Sequence, residues 1–258
     1  MDFTKESFEK QYRIIYDVLV KDKVKKQQRA VVFLGGQPGV GKSNFYSQDN
    51  NLNGYIVIDG DSYRRYHPDY NDIIKYDFEN YVERTQEFAN LCIERLISDL
   101  SDNGYNLIIE GTLRNPSVPI KTGLMLKEKG YTTDLYIIGV DACISWESTI
   151  NRADVLNKLG EVPRLVPIDK YNNIVNALPD NVGLIEKSNV FDFINIIDRN
   201  NKIVYSSTVH SGITASSVLK NILDLDKWNI NFQRYATAFL ETKLSFLNEE
   251  VKKVKHGR

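Results

Sequence analysis

Residues 31–43 read Val31-Val32-Phe33-Leu34-Gly35-Gly36-Gln37-Pro38-Gly39-Val40-Gly41-Lys42-Ser43, an apolar run that passes directly into Gly-x-x-x-x-Gly-Lys-Ser. The run reads as a buried strand, and the motif that follows is a Walker A phosphate loop in the setting such a loop requires. Gly36, Gly39 and Gly41 allow the backbone to take positive φ and wrap its N–H groups round a phosphate. Lys42 is placed to reach the β- and γ-phosphates. Ser43 is placed to hold Mg²⁺ through its hydroxyl, at the start of a helix whose dipole favours anions. The whole of Gly36 to Ser43, with Gln37, Pro38 and Val40, is expected to cradle a nucleoside triphosphate.

Working outward, Thr4 to Val20 carries Phe8, Tyr12, Ile15 and Leu19 at helical spacing, with Thr4 as N-cap. Lys21 to Arg29 reads as a solvated basic connector. Beyond the loop the chain is polar from Ser47 to Asn51. Apolar runs at 55–58, 107–109 and 135–140 read as further strands. The first two of these end in acids, Asp59-Gly60-Asp61 and Glu110-Gly111-Thr112. Asp77 to Asp102 reads as one long amphipathic helix carrying Glu94, stopped at Asn103-Gly104. Helices are expected over 117–129, 143–159 and 168–178. Phe193 to Ile197 and Ile203 to Tyr205 read as strands joined by the turn Asp198-Arg199-Asn200-Asn201. Two helical stretches, 214–225 and 228–251, follow. Strands alternating with helices imply an α/β fold of the P-loop kinase kind: a mainly parallel sheet flanked by helices, with an antiparallel edge pair and C-terminal helices. With no repeat or low-complexity linker, residues 1–258 read as a single domain. Residues 1–180 form its nucleotide and substrate core, and 181–258 its last strands and helices.

Composition narrows the classes. A chain of 258 residues, 42% hydrophobic, can bury a sizeable core. Its net charge of −1 gives no general basic field, so no nucleic-acid partner is expected, and the basic end, Lys252 to Arg258, reads as a frayed tail. No stretch approaches the roughly 20 apolar residues that cross a bilayer, so no membrane partner is expected. The N-terminus lacks the form of a secretory signal. Cys92 and Cys143, each among apolar residues, read as core positions suited to a cytoplasmic protein. The three histidines are too scattered to suggest a metal site.

A small-molecule kinase needs an acid that accepts the proton of the acceptor hydroxyl, and cations that offset charge on the transferring group. Asp61 is the best candidate base. It is followed by Ser62 to Pro68, a polar segment fit to line a pocket. The same residue could instead cap a helix beginning at Ser62 or Tyr63. Glu110 is similarly open between Mg²⁺ or substrate contact and a cap, although its place at a strand's carboxyl end favours function. Arg152 and Arg164 suit phosphate binding because guanidinium is planar, bidentate and always charged. Residue type alone favours two surface arginines.

Four blocks together carry a resemblance: Gly36 to Ser43; Ile56 to Tyr63 with His67-Pro68; Gly104 to Arg114; and Val118-Pro119. In this order they resemble the zeta toxins, the kinase halves of bacterial epsilon/zeta toxin–antitoxin pairs, from about Phe3 to about Leu178. The resemblance implies an ATP-dependent kinase that phosphorylates the 3'-hydroxyl of the amino sugar of UDP-N-acetylglucosamine, a cell-wall precursor. It makes Lys42 and Ser43 the holders of ATP and Mg²⁺, Asp61 the general base, and Arg152 and Arg164 braces on the phosphates. It places Glu94, Glu110, Thr112 and Arg114 round the nucleotide sugar, and it implies a small helical epsilon-type antitoxin as partner. Two rivals stand beside it. One is a kinase of another nucleotide sugar or metabolite hydroxyl, since fold and phosphate chemistry do not fix the acceptor. The other is a non-catalytic nucleotide-binding switch, against which stand Asp61 and the lack of an Asn-Lys-x-Asp guanine-reading motif.

Overall fold

A computed structural model of the chain describes residues 3–47 and 50–255. Gln48 and Asp49 of the polar stretch after the loop, and 256–258 of the basic tail, lie outside the described residues. In chain order the elements are α1 (Lys5–Val20), β1 (Ala30–Gly35), α2 (Lys42–Ser47), β2 (Ile56–Ile58), α3 (Gly60–Tyr63), α4 (Tyr70–Tyr76), α5 (Tyr81–Arg84) and α6 (Gln86–Asp102). There follow β3 (Leu107–Glu110), α7 (Ser117–Glu128), β4 (Thr132–Ile138), α8 (Ala142–Lys158), α9 (Ile168–Lys187), β5 (Phe193–Ile197), β6 (Ile203–Ser206), α10 (Ala215–Leu223) and α11 (Leu225–Lys255). The six strands form one sheet in the order β2-β3-β1-β4-β5-β6, in keeping with the mainly parallel P-loop kinase-like fold expected. The β1/β3 and β2/β3 pairs are parallel and β5/β6 is the antiparallel pair.

The chain gathers into two compact units. The first holds Met1–Leu34, Tyr46–Gly111 and Lys121–Leu135, and the second holds Gly35–Phe45, Thr112–Ile120 and Tyr136–Arg258. Within the first, Leu34 lies opposite Glu110 and Ile58 opposite Ile109. The carboxyl ends of β2 and β3 are therefore level, and Asp59 and Glu110 leave the sheet at one edge. Thr4 caps α1 by accepting from the Ser7 N–H at 3.1 Å, while the Thr4 N–H donates to Ser7 Oγ at 3.1 Å, a capping box with serine in the usual Glu/Gln place. Phe8, Tyr12 and Ile15 form the buried stripe of α1. Phe8 meets Phe88 of α6 edge-on at 5.5 Å. The connector 21–29 is mostly exposed, as its composition implies, and is tied down at two side chains: Lys23 Nζ donates to the Asn53 and Tyr55 carbonyls and Arg29 Nη1 to that of Lys129.

The expected helix over 77–102 is broken: a 3₁₀ turn at Phe78–Asn80 and the short α5 precede α6, which begins only at Gln86. In an uninterrupted α-helix the Val82 carbonyl would accept from the N–H of Gln86. Here it accepts from Arg64 Nη1 at 2.6 Å, and Thr85 Oγ1 turns back to the Tyr81 carbonyl at 2.7 Å. A buried guanidinium thus intercepts the helix ladder. β4 begins at Thr132, whose N–H donates to the Arg29 carbonyl, and ends earlier than expected, at Ile138.

In the second unit α9 continues nine residues past the expected end, with Pro179 inside it. The proline removes one ladder bond, but the buried stripe Tyr171, Val175, Leu178, Val182 and Ile185 runs unbroken through it, and helical spacing carries the helix on. Trp146 of α8, Tyr171 of α9 and Trp228 of α11 form an aromatic cluster with centroids 5.0 to 6.0 Å apart. The Trp228 Nε1–H donates to Asn172 Oδ1 at 2.8 Å, so the ring is buried without an orphaned donor. Both cysteines are free and buried, as expected, and burial pushes the Cys92 thiol up to about 12.

Trp228 is completely enclosed, and Trp228→Ala leaves a cavity between three helices. Urea unfolding followed by circular dichroism should show a loss of about 3–5 kcal/mol relative to the parent protein.

Candidate functional site

The phosphate loop belongs to the second unit. Gly36, Gly39 and Gly41 all have positive φ, at +141°, +83° and +92°, as the motif implies. Gly39 is the tightest point. A Cβ there would run into the Ser145 carbonyl oxygen and lie 2.9 Å from Thr149 Cγ2, so only glycine fits both the backbone angle and the space. Lys42 Nζ donates to the Gly36 carbonyl at 3.2 Å, which folds the lysine over its own loop. Ser43 is exposed in the first turn of α2.

Gln37 is fully buried, and its Nε2 donates to the Val140 carbonyl at 2.7 Å and to Ser145 Oγ at 3.0 Å. Its side chain therefore anchors the loop, and what it can offer a phosphate is its backbone N–H. Ser145 Oγ lies 2.5 Å from Tyr171 Oη, which donates to the Ala142 carbonyl at 2.6 Å. On α8, Ser145, Ser148, Thr149 and Arg152 fall at helical spacing on one stripe. Ser145 and Thr149 are the residues that Gly39 approaches, and Arg152 continues their stripe with an exposed side chain. Arg164 is half-buried in the segment between α8 and α9.

Thr112 and Arg114 belong to the same unit, in the segment before α7. Between them Leu113 has φ +54°, a left-handed conformation that leucine rarely adopts. Two contacts hold it. Its side chain lies so close over Gly35 that a Cβ at 35 would overlap Leu113 Cδ1, and Asn181 Nδ2 of α9 donates to the Leu113 and Arg114 carbonyls, each at 3.0 Å.

The acids lie in the first unit. Asp59, not Asp61, caps α3, its Oδ1 accepting from the Asp61 N–H at 3.1 Å and its Oδ2 from Ser62 Oγ at 2.8 Å. The capping alternative for Asp61 is thereby excluded. The Asp61 carboxylate instead accepts from Arg64 Nε at 3.1 Å and is 41% exposed. Arg64 also donates to the Val82 carbonyl, to Thr85 Oγ1 at 3.0 Å and to Gln86 Oε1 at 2.8 Å. Burial lowers its pKa from the ordinary arginine value. The segment Ser62 to Pro68 is thus no simple pocket lining: Tyr63, Arg64 and His67 are buried. Glu110 accepts a hydrogen bond from Tyr46, whose phenol is pushed up first by burial and then by that carboxylate. Glu94 is exposed on α6. Among the described residues no group of three or more His, Cys, Asp and Glu is placed to hold a metal ion.

Sequence reasoning missed the supports. Arg64 was legible only as one of two adjacent arginines, Asn181 as a polar residue just after a proline, and Arg199 as one cation in a turn of Asp and Asn. None of these contexts tells which carbonyl a side chain will reach.

Gly39→Ala combines a disfavoured backbone angle, worth about 1–3 kcal/mol, with the collision against Ser145. Gly130 has nearly the same φ, +81°, with nothing within 4 Å of a Cβ, so Gly130→Ala carries the backbone cost alone. Thermal unfolding of the two variants should show the larger loss for Gly39→Ala.

The family model described as "Zeta toxin" matches residues 16–210. "Toxin PezT" of Streptococcus pneumoniae is 34% identical over 225 residues, covering 86% of this chain and 88% of that one. "Toxin zeta" of Streptococcus pyogenes is 32% identical over 227 residues, covering 87% and 79%. Among solved structures, one from the PezAT chromosomal toxin–antitoxin system of Streptococcus pneumoniae superposes with TM-score 0.76 at 30% identity, covering 97% of this chain and 98% of that one. With the complete phosphate loop in place and these likenesses spanning most of both partners, the chain belongs to the zeta toxin family.

Proposed function

We propose that this chain is a kinase toxin that transfers a phosphoryl group from ATP, with Mg²⁺, to the 3'-hydroxyl of the amino sugar of UDP-N-acetylglucosamine. It would act in the cytoplasm against cell-wall synthesis and be restrained by a small helical antitoxin. The observation that carries the kinase reading is the phosphate loop, whose three positive-φ glycines and folded-over lysine have the form of a cradle for phosphate. ATP supplies the phosphoryl group when bound, and Mg²⁺ offsets its charge. Lys42 Nζ exchanges the Gly36 carbonyl for phosphate oxygens, and the Ser43 hydroxyl is the ligand the loop provides for the cation. Asp61, steadied at Oδ1 by Arg64 and open to solvent, accepts the proton of the sugar hydroxyl. Arg152 and Arg164 brace the phosphates. Glu94, Glu110, Thr112 and Arg114 contact the nucleotide sugar, with Asn181 and the strained Leu113 fixing the backbone between the last two. The antitoxin is supported by the solved relative, which comes from a toxin–antitoxin system.

Purified protein incubated with ATP, Mg²⁺ and UDP-N-acetylglucosamine should yield, by mass spectrometry, a product one phosphate heavier. Lys42→Ala should yield none, and Asp61→Ala should fall at least about a hundredfold in turnover while remaining folded, with a lower thermal midpoint because Arg64 Nε loses its carboxylate. Absence of product from a preparation that binds ATP would overturn the acceptor. Parent-like turnover by a folded Asp61→Ala protein would remove Asp61 as base.

A further inference from the structure

The turn between β5 and β6 reads in sequence as a connector, yet it grips the phosphate loop and its helix at two points. Arg199 Nη2 donates to the Gly39 carbonyl at 2.8 Å and to Ser148 Oγ of α8 at 2.9 Å. Two residues on, Asn201 Nδ2 donates to the Phe45 carbonyl in α2 at 3.3 Å. The turn is stiff enough to act as a jaw. Asp198 Oδ1 accepts the N–H groups of Asn200 at 2.8 Å and Lys202 at 3.0 Å, and the backbones of Asp198 and Lys202 are joined at 3.0 Å.

The contact at Gly39 falls where the loop lies closest to α8. The peptide joining Gly39 to Val40 turns on ψ of Gly39 and φ of Val40, and glycine leaves the first of these unrestricted, so the direction of the carbonyl has to be set by a contact. In a planar trans peptide the C=O and the next N–H point in opposite directions. Holding the Gly39 carbonyl against Arg199 therefore turns the Val40 N–H away from Arg199, and a flip would reverse that amide. The hydrogen bond is charge-assisted, the stronger kind. Both Nη2 contacts are to neutral oxygens, and Arg199 Nε is enclosed without a hydrogen-bond partner, so the turn also brings a positive charge beside a loop suited to anions.

We propose that the β5–β6 turn is a clamp on the phosphate loop, and that Arg199 is the positioning residue that sets the Gly39–Val40 peptide for nucleotide binding. This rests on the reading of the loop as the ATP site. The test uses the full chain with Arg199→Met and Arg199→Lys. Three quantities are measured: amide hydrogen exchange without nucleotide, thermal unfolding, and Mg-ATP affinity by calorimetry. Arg199→Met should speed exchange in residues 36–43 and leave β5 and α9 protected, and it should weaken ATP binding by about tenfold or more, the scale of one lost charge-assisted hydrogen bond. Arg199→Lys keeps the charge without the planar fork and should fall between. It also decides the matter if Arg199→Met does not fold. Unchanged exchange at 36–43, unchanged ATP affinity, or exchange raised throughout the second unit in a folded variant would each overturn the proposal. If the parent protein fails to bind ATP, the functional reading fails instead, and the exchange measurement still decides whether the clamp exists.

Discussion

The phosphate loop has to be rigid while being made of the residue with the least rigidity, and the buried amide of Gln37 is the interaction that resolves this. Both of its donors end on fixed partners, the Val140 carbonyl and Ser145 Oγ. Ser145 is held in turn by Tyr171, which sits in the aromatic cluster with Trp146 and Trp228. Polar chains of this kind are strong inside a protein because the surroundings are weakly polarisable, and costly if broken for the same reason. The C-terminal helix α11, through Trp228, thus belongs to the support of a loop nearly two hundred residues earlier. Its place in the fold is the one part of the chain's end that composition does not suggest.

A second organising group works inside the first unit. Arg64 is 6% exposed, and such burial of a guanidinium is costly unless every donor is used. It meets a carboxylate, a backbone carbonyl, a hydroxyl and an amide oxygen. In doing so it fixes the side chain of Asp61 and ends the run of turns before α6. One cation therefore shapes a helix boundary and orients the acid that the functional reading depends on.

How much of this was legible follows from where the signal lies. The phosphate loop, the strand-end acids and the antiparallel edge pair are written in contiguous residues, and the structure reproduces them. Apolar spacing continues across Thr85 and so predicts one helix over 77–102, while the hydrogen bond that breaks it comes from Arg64, 18 residues before Val82. The helix from Ile168 was cut short because Pro179 is a local stop signal, whereas the buried stripe that overrides it is a tertiary fact. For the candidate site, the residues matching the motifs were legible, and those that hold them still, Arg64, Asn181 and Arg199, were not. A supporting side chain is defined by the carbonyl it reaches, and that carbonyl lies far away in sequence.

The close fit of Leu113 over Gly35 ties two positions into one unit of inheritance. Any side chain at 35 collides with the leucine, and a smaller residue at 113 would leave the left-handed backbone without the packing that holds it. A change at either position requires the other to move. Descendants of this chain should keep the pair or exchange both together, so the path of the backbone from Thr112 to Arg114 is inherited as one piece with Gly35.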